Sequence, residues 1–116
     1  MKILYAEDNN IDYLLVKSIL KEHQVTRATN GKEALDLFYQ GRFDLVLMNL
    51  SMPVLDGLKT TESIRELDKS TPIYMITSQY LKQQEAYNSG IDEFIVKPII
   101  NGQIKTLVDK INQEVK

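Results

Sequence analysis

Cysteine and tryptophan are absent from this chain of 116 residues, and histidine occurs once. Without cysteine the protein can form neither a disulfide framework nor a thiolate metal site, and the composition suits a reducing compartment. Long apolar runs are absent too: the run within residues 1–8 is too short for a signal peptide and ends in two acids. No later stretch reaches membrane-spanning length. We therefore expect a cytoplasmic protein without a membrane segment.

An excess of charge of one sign is also lacking. The chain has 14 basic and 16 acidic residues, a formal net charge of -2, and lysines mixed with glutamates. No basic stripe is available for nucleic acid, so we do not expect this chain to bind DNA by itself. The 43% apolar and 26% charged content is typical of a globular domain, and the length fits one domain over residues 1–116.

Short apolar runs rich in β-branched residues alternate with longer segments of helical period, which indicates βαβ units and a parallel sheet. The predicted strands are Lys2–Ala6, Gln24–Ala28, Leu45–Met48, Ile73–Ile76 and Phe94–Val96. Four of them are almost continuously apolar, as strands covered on both faces are. The second is more polar, so we place it at an edge of the sheet.

Helical periodicity predicts five helices. Their apolar positions are, in chain order, Ile11, Leu14, Leu15 and Ile19; Ala34, Leu35 and Phe38; Leu58, Thr61, Ile64 and Leu67; Leu81 and Ala86; Ile100, Ile104, Leu107, Val108, Ile111 and Val115. Asn30 and Glu33 form a capping-box pattern at the start of the second helix, and Gly41 closes it. The fourth helix, about residues 80–89, has the weakest apolar stripe, so we expect few contacts to hold it.

Polar residues follow four of the five strands at their carboxyl ends. They are Glu7 and Asp8, Asn49, Thr77 and Ser78, and Lys97 followed by Pro98. In an open α/β sheet these ends form the ligand crevice, so the side chains should converge. Two carboxylates suit Mg²⁺, and a lysine and a hydroxyl suit a phosphoryl group. The pattern predicts a pocket for a metal-bound phosphoryl group in which the nucleophile is missing.

The segments at residues 6–9 (AEDN), 44–57 (DLVLMNLSMPVLDG), 76–78 (ITS) and 96–98 (VKP) resemble, in this order, the motifs of response-regulator receiver domains. The resemblance covers the whole chain. It implies a doubly wound, flavodoxin-like α/β fold with a five-stranded parallel sheet of order 2-1-3-4-5 and five helices. It also implies a switch without enzymatic activity of its own in two-component or phosphorelay signalling.

The resemblance implies a role for each residue of the pocket. Glu7, Asp8 and the backbone carbonyl of Ser51 would bind Mg²⁺ together with residue 49. Thr77 and Lys97 would contact the phosphoryl group, and the peptide bond between Lys97 and Pro98 is expected to be cis.

The resemblance further implies how the signal leaves the pocket. Phe94 would be the aromatic switch that follows movement of Thr77, and Ser51 and Gln79 would tune the phosphoryl lifetime. A histidine kinase or histidine phosphotransfer domain would dock beside the first helix. Output would use the surface of the fourth helix, fifth strand and fifth helix, toward a partner or a second copy. Tyr80 and Tyr87 could belong to that surface or to ordinary packing.

Asn49 departs from the family pattern at its central position, where the family has a phosphorylatable aspartate. A carboxamide has no anionic oxygen with which to attack phosphorus, so phosphorylation there should fail. The site also loses one negative charge, which weakens its attraction for Mg²⁺, although the amide oxygen can still coordinate.

Three explanations of Asn49 remain open at this level. The first is an engineered block of phosphorylation in an otherwise competent receiver whose acceptor was replaced, and retention of Glu7, Asp8, Thr77 and Lys97 favours it. The second is a natural receiver that works as an interaction module without phosphorylation. The third is a small Mg²⁺-dependent phosphatase with Glu7 or Asp8 as nucleophile, which we rank last because one carboxylate would have to be both ligand and nucleophile. A stand-alone regulator and a fragment of a hybrid kinase are both compatible with the sequence.

Overall fold

Five parallel strands form one sheet in the order β2-β1-β3-β4-β5, which confirms the predicted architecture. The computed structural model describes residues 1–99 and 102–115, except for the side chains of residues 114 and 115. The strands are β1 (Lys2–Ala6), β2 (Gln24–Ala28), β3 (Leu45–Asn49), β4 (Ile73–Thr77) and β5 (Glu93–Val96). The polar β2 lies at an edge, as its composition predicted. Strands β3 and β4 continue one residue further than predicted, so Asn49 and Thr77 are their last residues.

Helices connect the strands and cover both faces of the sheet. They are α1 (Asn10–Ile19), α2 (Gly31–Gln40), α3 (Gly57–Leu67), α4 (Gln83–Ser89) and α5 (Gln103–Val115). The predicted fourth helix is divided, because Tyr80–Lys82 forms a 3₁₀ turn before α4 begins. None of the helices in the described part of the chain is long and apolar enough to cross a membrane. The predicted apolar position Ile100 lies outside the described residues.

Asx caps define where three of the helices begin. The side chains of Asn9, Asn30 and Asp56 accept hydrogen bonds from the third residue of α1, α2 and α3, respectively. Each cap satisfies a backbone N–H that has no partner within its helix. Glu33 in turn accepts the N–H of Thr29 at 2.9 Å, so the capping pattern predicted for α2 is present.

The core consists of two apolar layers, one on each face of the sheet. Ile3 and Tyr5 of β1 point into the layer under α1 and α5, whereas Leu4 and Ala6 point into the layer under α2, α3 and α4. This alternation follows from the two-residue period of a strand. Because both faces are covered, ligands can approach the sheet at the ends of its strands.

The buried face of α1 differs from the sequence prediction. Ile11, Leu14 and Leu15 are exposed by 78%, 61% and 43%, and the residues that pack on the sheet are Tyr13 and Val16. Ile19 is partly buried against the same layer. The helix carries two overlapping apolar patterns at helical spacing, and periodicity does not distinguish them.

Aromatic packing decides which of these two patterns is buried. The ring of Tyr13 stacks on Tyr5 with ring centroids 5.8 Å apart, and the guanidinium of Arg27 lies 4.4 Å from the Tyr13 centroid. The predicted core positions Leu67 and Leu81 are also wrong, since these side chains are 75% and 84% exposed. Leu67 is the last residue of α3, and Leu81 lies in the 3₁₀ turn that precedes α4.

Candidate functional site

The site forms where neighbouring strands end at the same edge of the sheet. Asn49 lies opposite Ile76 and Thr77 lies opposite Val96, so Asn49, Thr77 and Lys97 follow one another along this edge. Glu7 continues β1 on the other side of Asn49. The predicted convergence of these four residues is therefore present.

The carboxamide of Asn49 lies at the centre of the site. Its Nδ2 donates to Oε2 of Glu7 at 2.9 Å, to Oδ1 of Asp8 at 3.2 Å and to the backbone carbonyl of Ser51 at 2.9 Å. All three partners are acceptors, so only the amide nitrogen, and not the amide oxygen, can hydrogen-bond to them. The nitrogen therefore faces the oxygens that the family resemblance assigns to the metal.

Glu7 is a fully buried carboxylate with several donors. Besides Asn49, the hydroxyl of Tyr5 and Nζ of Lys97 donate to Oε1 at 3.0 and 2.9 Å, and the N–H of Asn9 donates to Oε2 at 3.3 Å. These bonds offset the cost of burying a charge. Burial and the adjacent Glu7 carboxylate raise the pKa of the Tyr5 hydroxyl well above its ordinary value, so this group remains a donor.

Lys97 is bound by two carboxylates. Its Nζ lies 2.9 Å from Oε1 of Glu7 and 2.8 Å from Oδ2 of Asp12 in the first turn of α1. Burial by itself lowers the pKa of Lys97, but the bonds to Asp12 and Glu7 outweigh it and raise the pKa above the ordinary lysine value. The ammonium is thus charged and held at the α1 side of the site.

Asp12 and Tyr5 are site residues that the sequence analysis missed. Tyr5 lies inside a buried strand, where a tyrosine is expected to be core, and its hydroxyl partner cannot be identified from strand periodicity. Asp12 carried a weak signal, an acid in the first turn of a helix, but such acids are usual at helix N-termini for electrostatic reasons.

The loops after β3 and β4 are joined across the site. The buried hydroxyl of Thr77 accepts the N–H of Gln79 at 3.0 Å, and Nε2 of Gln79 donates to Oγ of Ser51 at 2.9 Å. The two positions predicted to tune the phosphoryl lifetime are therefore in direct contact. Phe94 is half-buried against the layer under α2, α3 and α4, and its switch role stays a prediction.

Close backbone packing holds the β3 end of the site. A Cβ on Gly57 would overlap the carbonyl oxygen of Asn49, and the N–H of Gly57 donates to the carbonyl of Leu50 at 2.7 Å. Glycine is the residue that allows α3 to begin so close to the strand. At the other end of the site the peptide bond between Lys97 and Pro98 is cis, as predicted.

The donor set can be tested against a magnesium ion. Carboxylates of Glu7 and Asp8 and the carbonyl of Ser51 already surround one point, and Mg²⁺ prefers such oxygen ligands. That point is occupied by Nδ2 of Asn49, which is a donor and cannot coordinate a cation. Rotating the amide would place Oδ1 there and complete an oxygen set. The residues therefore fit Mg²⁺ only after the two amide hydrogens of Asn49 leave the three acceptors that they share.

A cavity of about 550 Å³ lies elsewhere and is lined by residues of the α2–β3 and α3–β4 connections such as Tyr39, Phe43 and Thr71. It contains none of the residues at the carboxyl ends of the strands. We assign the site by its convergent polar groups, since a phosphoryl group and a hydrated cation require charge and donors more than cavity size.

A family comparison matches residues 3–109 to the response regulator receiver domain. Hybrid signal transduction histidine kinase I of Dictyostelium discoideum is 33% identical over 127 residues, which cover 98% of this chain and 7% of that protein. Chemotaxis protein CheY-3 of Vibrio cholerae is 33% identical over 118 residues, which cover 96% of this chain and 91% of that protein. The chain spans only 6% to 16% of the length of seven relatives that it matches, five of which are histidine kinases or sensor kinases by name.

A solved structure of a receiver domain is also similar to this chain. The receiver domain of a sensor histidine kinase from Pseudomonas aeruginosa has a magnesium ion coordinated in its active-site cleft. It superposes on this chain with a TM-score of 0.89 at 25% identity, covering 96% of this chain and 97% of that one. Together with the sheet order and the strand-end site, the family match shows that this chain belongs to the response regulator receiver domain family.

Proposed function

We propose that this chain is the receiver module of a two-component or phosphorelay system, in a form that cannot accept a phosphoryl group at position 49. One observation carries the proposal: the carboxamide of Asn49 lies at the centre of the strand-end site, where a nucleophile would have to be. Its inward atom is a nitrogen whose two hydrogens are shared among three acceptors. Such a group has no anionic oxygen to form an acyl phosphate.

The rest of the pocket supports a competent receiver whose acceptor was replaced. Glu7, Asp8, Thr77 and Lys97 are all at the strand ends, and Thr77 and Lys97 supply a hydroxyl and an ammonium group on the same side of Asn49. Groups of this kind neutralise and position a phosphoryl group. A physical reason to retain all four disappears once phosphoryl transfer is lost.

A receiver that works without phosphorylation is the second candidate, and the pairing within the site favours it. Asn49 and Lys97 each donate a hydrogen bond to Glu7, so the polar side chains of the site satisfy one another. Among the described residues, the buried side-chain polar atom without a hydrogen-bond partner is Oγ1 of Thr61, which lies outside the site. The same pairing argues against a phosphatase with Glu7 as nucleophile, because donors occupy both of its carboxylate oxygens.

We further propose that Mg²⁺ binds this chain weakly. The ion would be held by Glu7, Asp8, the Ser51 carbonyl and the rotated amide of Asn49, and when bound it would neutralise phosphoryl charge. Two effects weaken this binding relative to an aspartate at position 49. One negative charge is missing, and the hydrogen bonds of the amide must be given up.

Two exposed apolar surfaces fit the proposed partners. Ile11, Leu14 and Leu15 of α1 form a patch beside the site that suits the helix of a histidine kinase or phosphotransfer domain. Tyr80, Leu81, Tyr87 and Val96 are exposed on the side of α4 and β5, and we propose this side, together with α5, as the output surface toward a partner or a second copy.

The experiment is incubation of the native chain and an Asn49→Asp variant with acetyl phosphate and Mg²⁺, followed by intact-mass measurement. We expect one phosphoryl adduct on the Asn49→Asp variant and none on the native chain. Asn30→Asp is the matched control, because it makes the same chemical change at a helix cap where aspartate is equally suitable.

Other outcomes would reject the proposal. Adducts on neither protein would favour the phosphorylation-independent module, and an adduct on the native chain would show that residue 49 is not the point of control. Turnover of a phosphate ester by the native chain would make the protein an enzyme.

A further inference from the structure

Lys97 belongs to a closed ring of hydrogen bonds that joins β1, α1 and β5. Glu7 accepts the N–H of Asn9, the side chain of Asn9 accepts the N–H of Asp12, and Oδ2 of Asp12 accepts from Lys97. Lys97 completes the ring by donating to Glu7. Asp12 and Lys97 are 85 residues apart in the chain, so the ring is a tertiary feature.

We propose that Asp12 is a positioning residue for Lys97: it holds the ammonium group against the first turn of α1 and competes with a phosphoryl group for it. This inference rests on the proposed receiver function. Two of the three N–H donors of Lys97 are bound to carboxylates. A phosphoryl group at position 49 must share or replace one of these bonds, and the bond to Asp12 is the more replaceable because Asp12 is partly exposed whereas Glu7 is buried.

The charges at this edge of the sheet support competition between Asp12 and a phosphoryl group for the Lys97 ammonium. Glu7, Asp8 and Asp12 bring three carboxylates to this edge, and Lys97 forms ion pairs with two of them, Glu7 and Asp12. Asp12 therefore acts against an incoming phosphoryl anion twice, by holding the lysine and by adding negative charge. Both effects have the same sign, so removing the charge of Asp12 should favour phosphoryl transfer.

A purely structural role for Asp12 gives a different expectation. An acid in the first turn of α1 stabilises the helix by interaction with its dipole, and its loss would lower stability without changing Lys97. The test therefore needs readouts that report on Lys97 and on the reaction rather than on stability. Asp12→Asn keeps the shape of the side chain, and Asp12→Glu keeps its charge.

The first readout uses the native Asn49 chain and does not depend on phosphorylation. Two charge-assisted hydrogen bonds should slow exchange of the Lys97 ammonium protons enough for a resolved NMR signal. We expect Asp12→Asn to broaden or remove that signal and Asp12→Glu to retain it. The matched control is Asp36→Asn, which breaks the exposed pair between Lys32 and Asp36 and should leave Lys97 unchanged.

The second readout adds Asn49→Asp to supply the acceptor, with acetyl phosphate and saturating Mg²⁺. A carboxylate oxygen of the introduced side chain bonds to phosphorus while the phosphorus–oxygen bond to the acetyl group breaks and acetate leaves. We expect Asp12→Asn in this background to raise the rate constant about threefold, the effect of releasing one partly exposed ion pair. Asp36→Asn should remain at the rate of Asn49→Asp alone, and Asp12→Glu, which keeps the charge, should raise the rate less than Asp12→Asn does.

The outcomes separate the two proposals. If Asn49→Asp is phosphorylated but Asp12→Asn changes neither the rate nor the Lys97 signal, the role of Asp12 is rejected and the receiver function stands. A rate that falls in Asp12→Asn also rejects competition. If Asn49→Asp is not phosphorylated at all, the receiver proposal fails. An unchanged Lys97 signal in Asp12→Asn would then also reject the hydrogen bond between Lys97 and Asp12.

Discussion

Nδ2 of Asn49 and Oε2 of Glu7 lie 2.9 Å apart, so a neutral amide donates to a buried carboxylate at the point where the family resemblance implies a cation. Asp8 and the Ser51 carbonyl accept from the same nitrogen. The amide nitrogen thus supplies the hydrogen-bond donor for the two carboxylates and the carbonyl at this edge of the sheet. This arrangement links the missing nucleophile to stability and to Mg²⁺ affinity.

Asn49→Asp should lower the free energy of unfolding in metal-free buffer. The substitution removes a donor shared by Glu7 and Asp8 and adds a third carboxylate. Two carboxylates about 4 Å apart repel by roughly 4 kcal/mol at an effective dielectric of about 20 before relaxation, so we expect a net loss of about 2 kcal/mol. Urea unfolding in chelator and in Mg²⁺ measures the effect, and the variant should gain more from Mg²⁺ than the native chain.

The control for this prediction is Asn30→Asp, whose unfolding should be independent of Mg²⁺. Equal responses of the native chain and Asn49→Asp to Mg²⁺ would show that residue 49 does not contribute to the metal site.

Tyr5→Phe should destabilise the protein by about 1.5 kcal/mol, because a hydrogen bond to a buried charged group is lost without relief of the charge. The hydroxyl of Tyr5 is buried and donates to Glu7 at 3.0 Å. Urea or thermal unfolding checks the loss. Tyr80→Phe removes the same hydroxyl from an exposed side chain and should change stability by less than about 0.5 kcal/mol. Equal effects of the two substitutions would contradict the role given to Tyr5.

The turn after α3 should make stability depend on pH in the acid range. The backbone N–H of Thr71 and further donors from Thr71 and Ser70 bind the Asp68 carboxylate and lower its pKa from 3.8 to about 2. A depressed pKa in the folded state means that this stabilisation is present above pH about 4 and is lost as the pH falls through about 2. A carbon NMR titration of the Asp68 carboxyl should therefore have its midpoint near 2.

Asp68→Asn tests the same turn by stability. At neutral pH it should cost less than about 1 kcal/mol, since Asp68 is partly exposed and water screens its charge. The difference from the native chain should shrink below pH about 4, where the unfolded carboxylate becomes protonated.

Two substitutions on α1 distinguish its buried face from its exposed face. Val16→Ala removes a fully buried side chain and should cost about 2 kcal/mol through lost burial and a residual cavity. Leu14→Ala removes a side chain that is 61% exposed and should change the free energy of unfolding by less than about 0.5 kcal/mol. A larger loss of stability for Leu14→Ala than for Val16→Ala would show that α1 buries the face predicted from the sequence.

The sheet could be predicted in detail because its signals are local. Continuous apolar character marks β1, β3 and β4, and polar character marks β2 as an edge strand. Convergence of Glu7, Asn49, Thr77 and Lys97 followed from a parallel sheet, whose carboxyl strand ends share one edge. The buried face of α1 could not be predicted in the same way. Two apolar patterns overlap there, and the choice depends on the contact of Tyr13 with Tyr5 and Arg27 from two strands.

The sequence by itself determined the fold class and that residue 49 is a carboxamide, since periodicity is local and an asparagine lacks an anionic oxygen in any conformation. Only the tertiary structure decided which atom of Asn49 faces Glu7 and Asp8, and that Lys97 binds Asp12 as well as Glu7. These choices depend on distances between side chains from separate strands and helices. Hydrogen bonds and charge interactions change steeply over such distances, and no pattern along the chain encodes them.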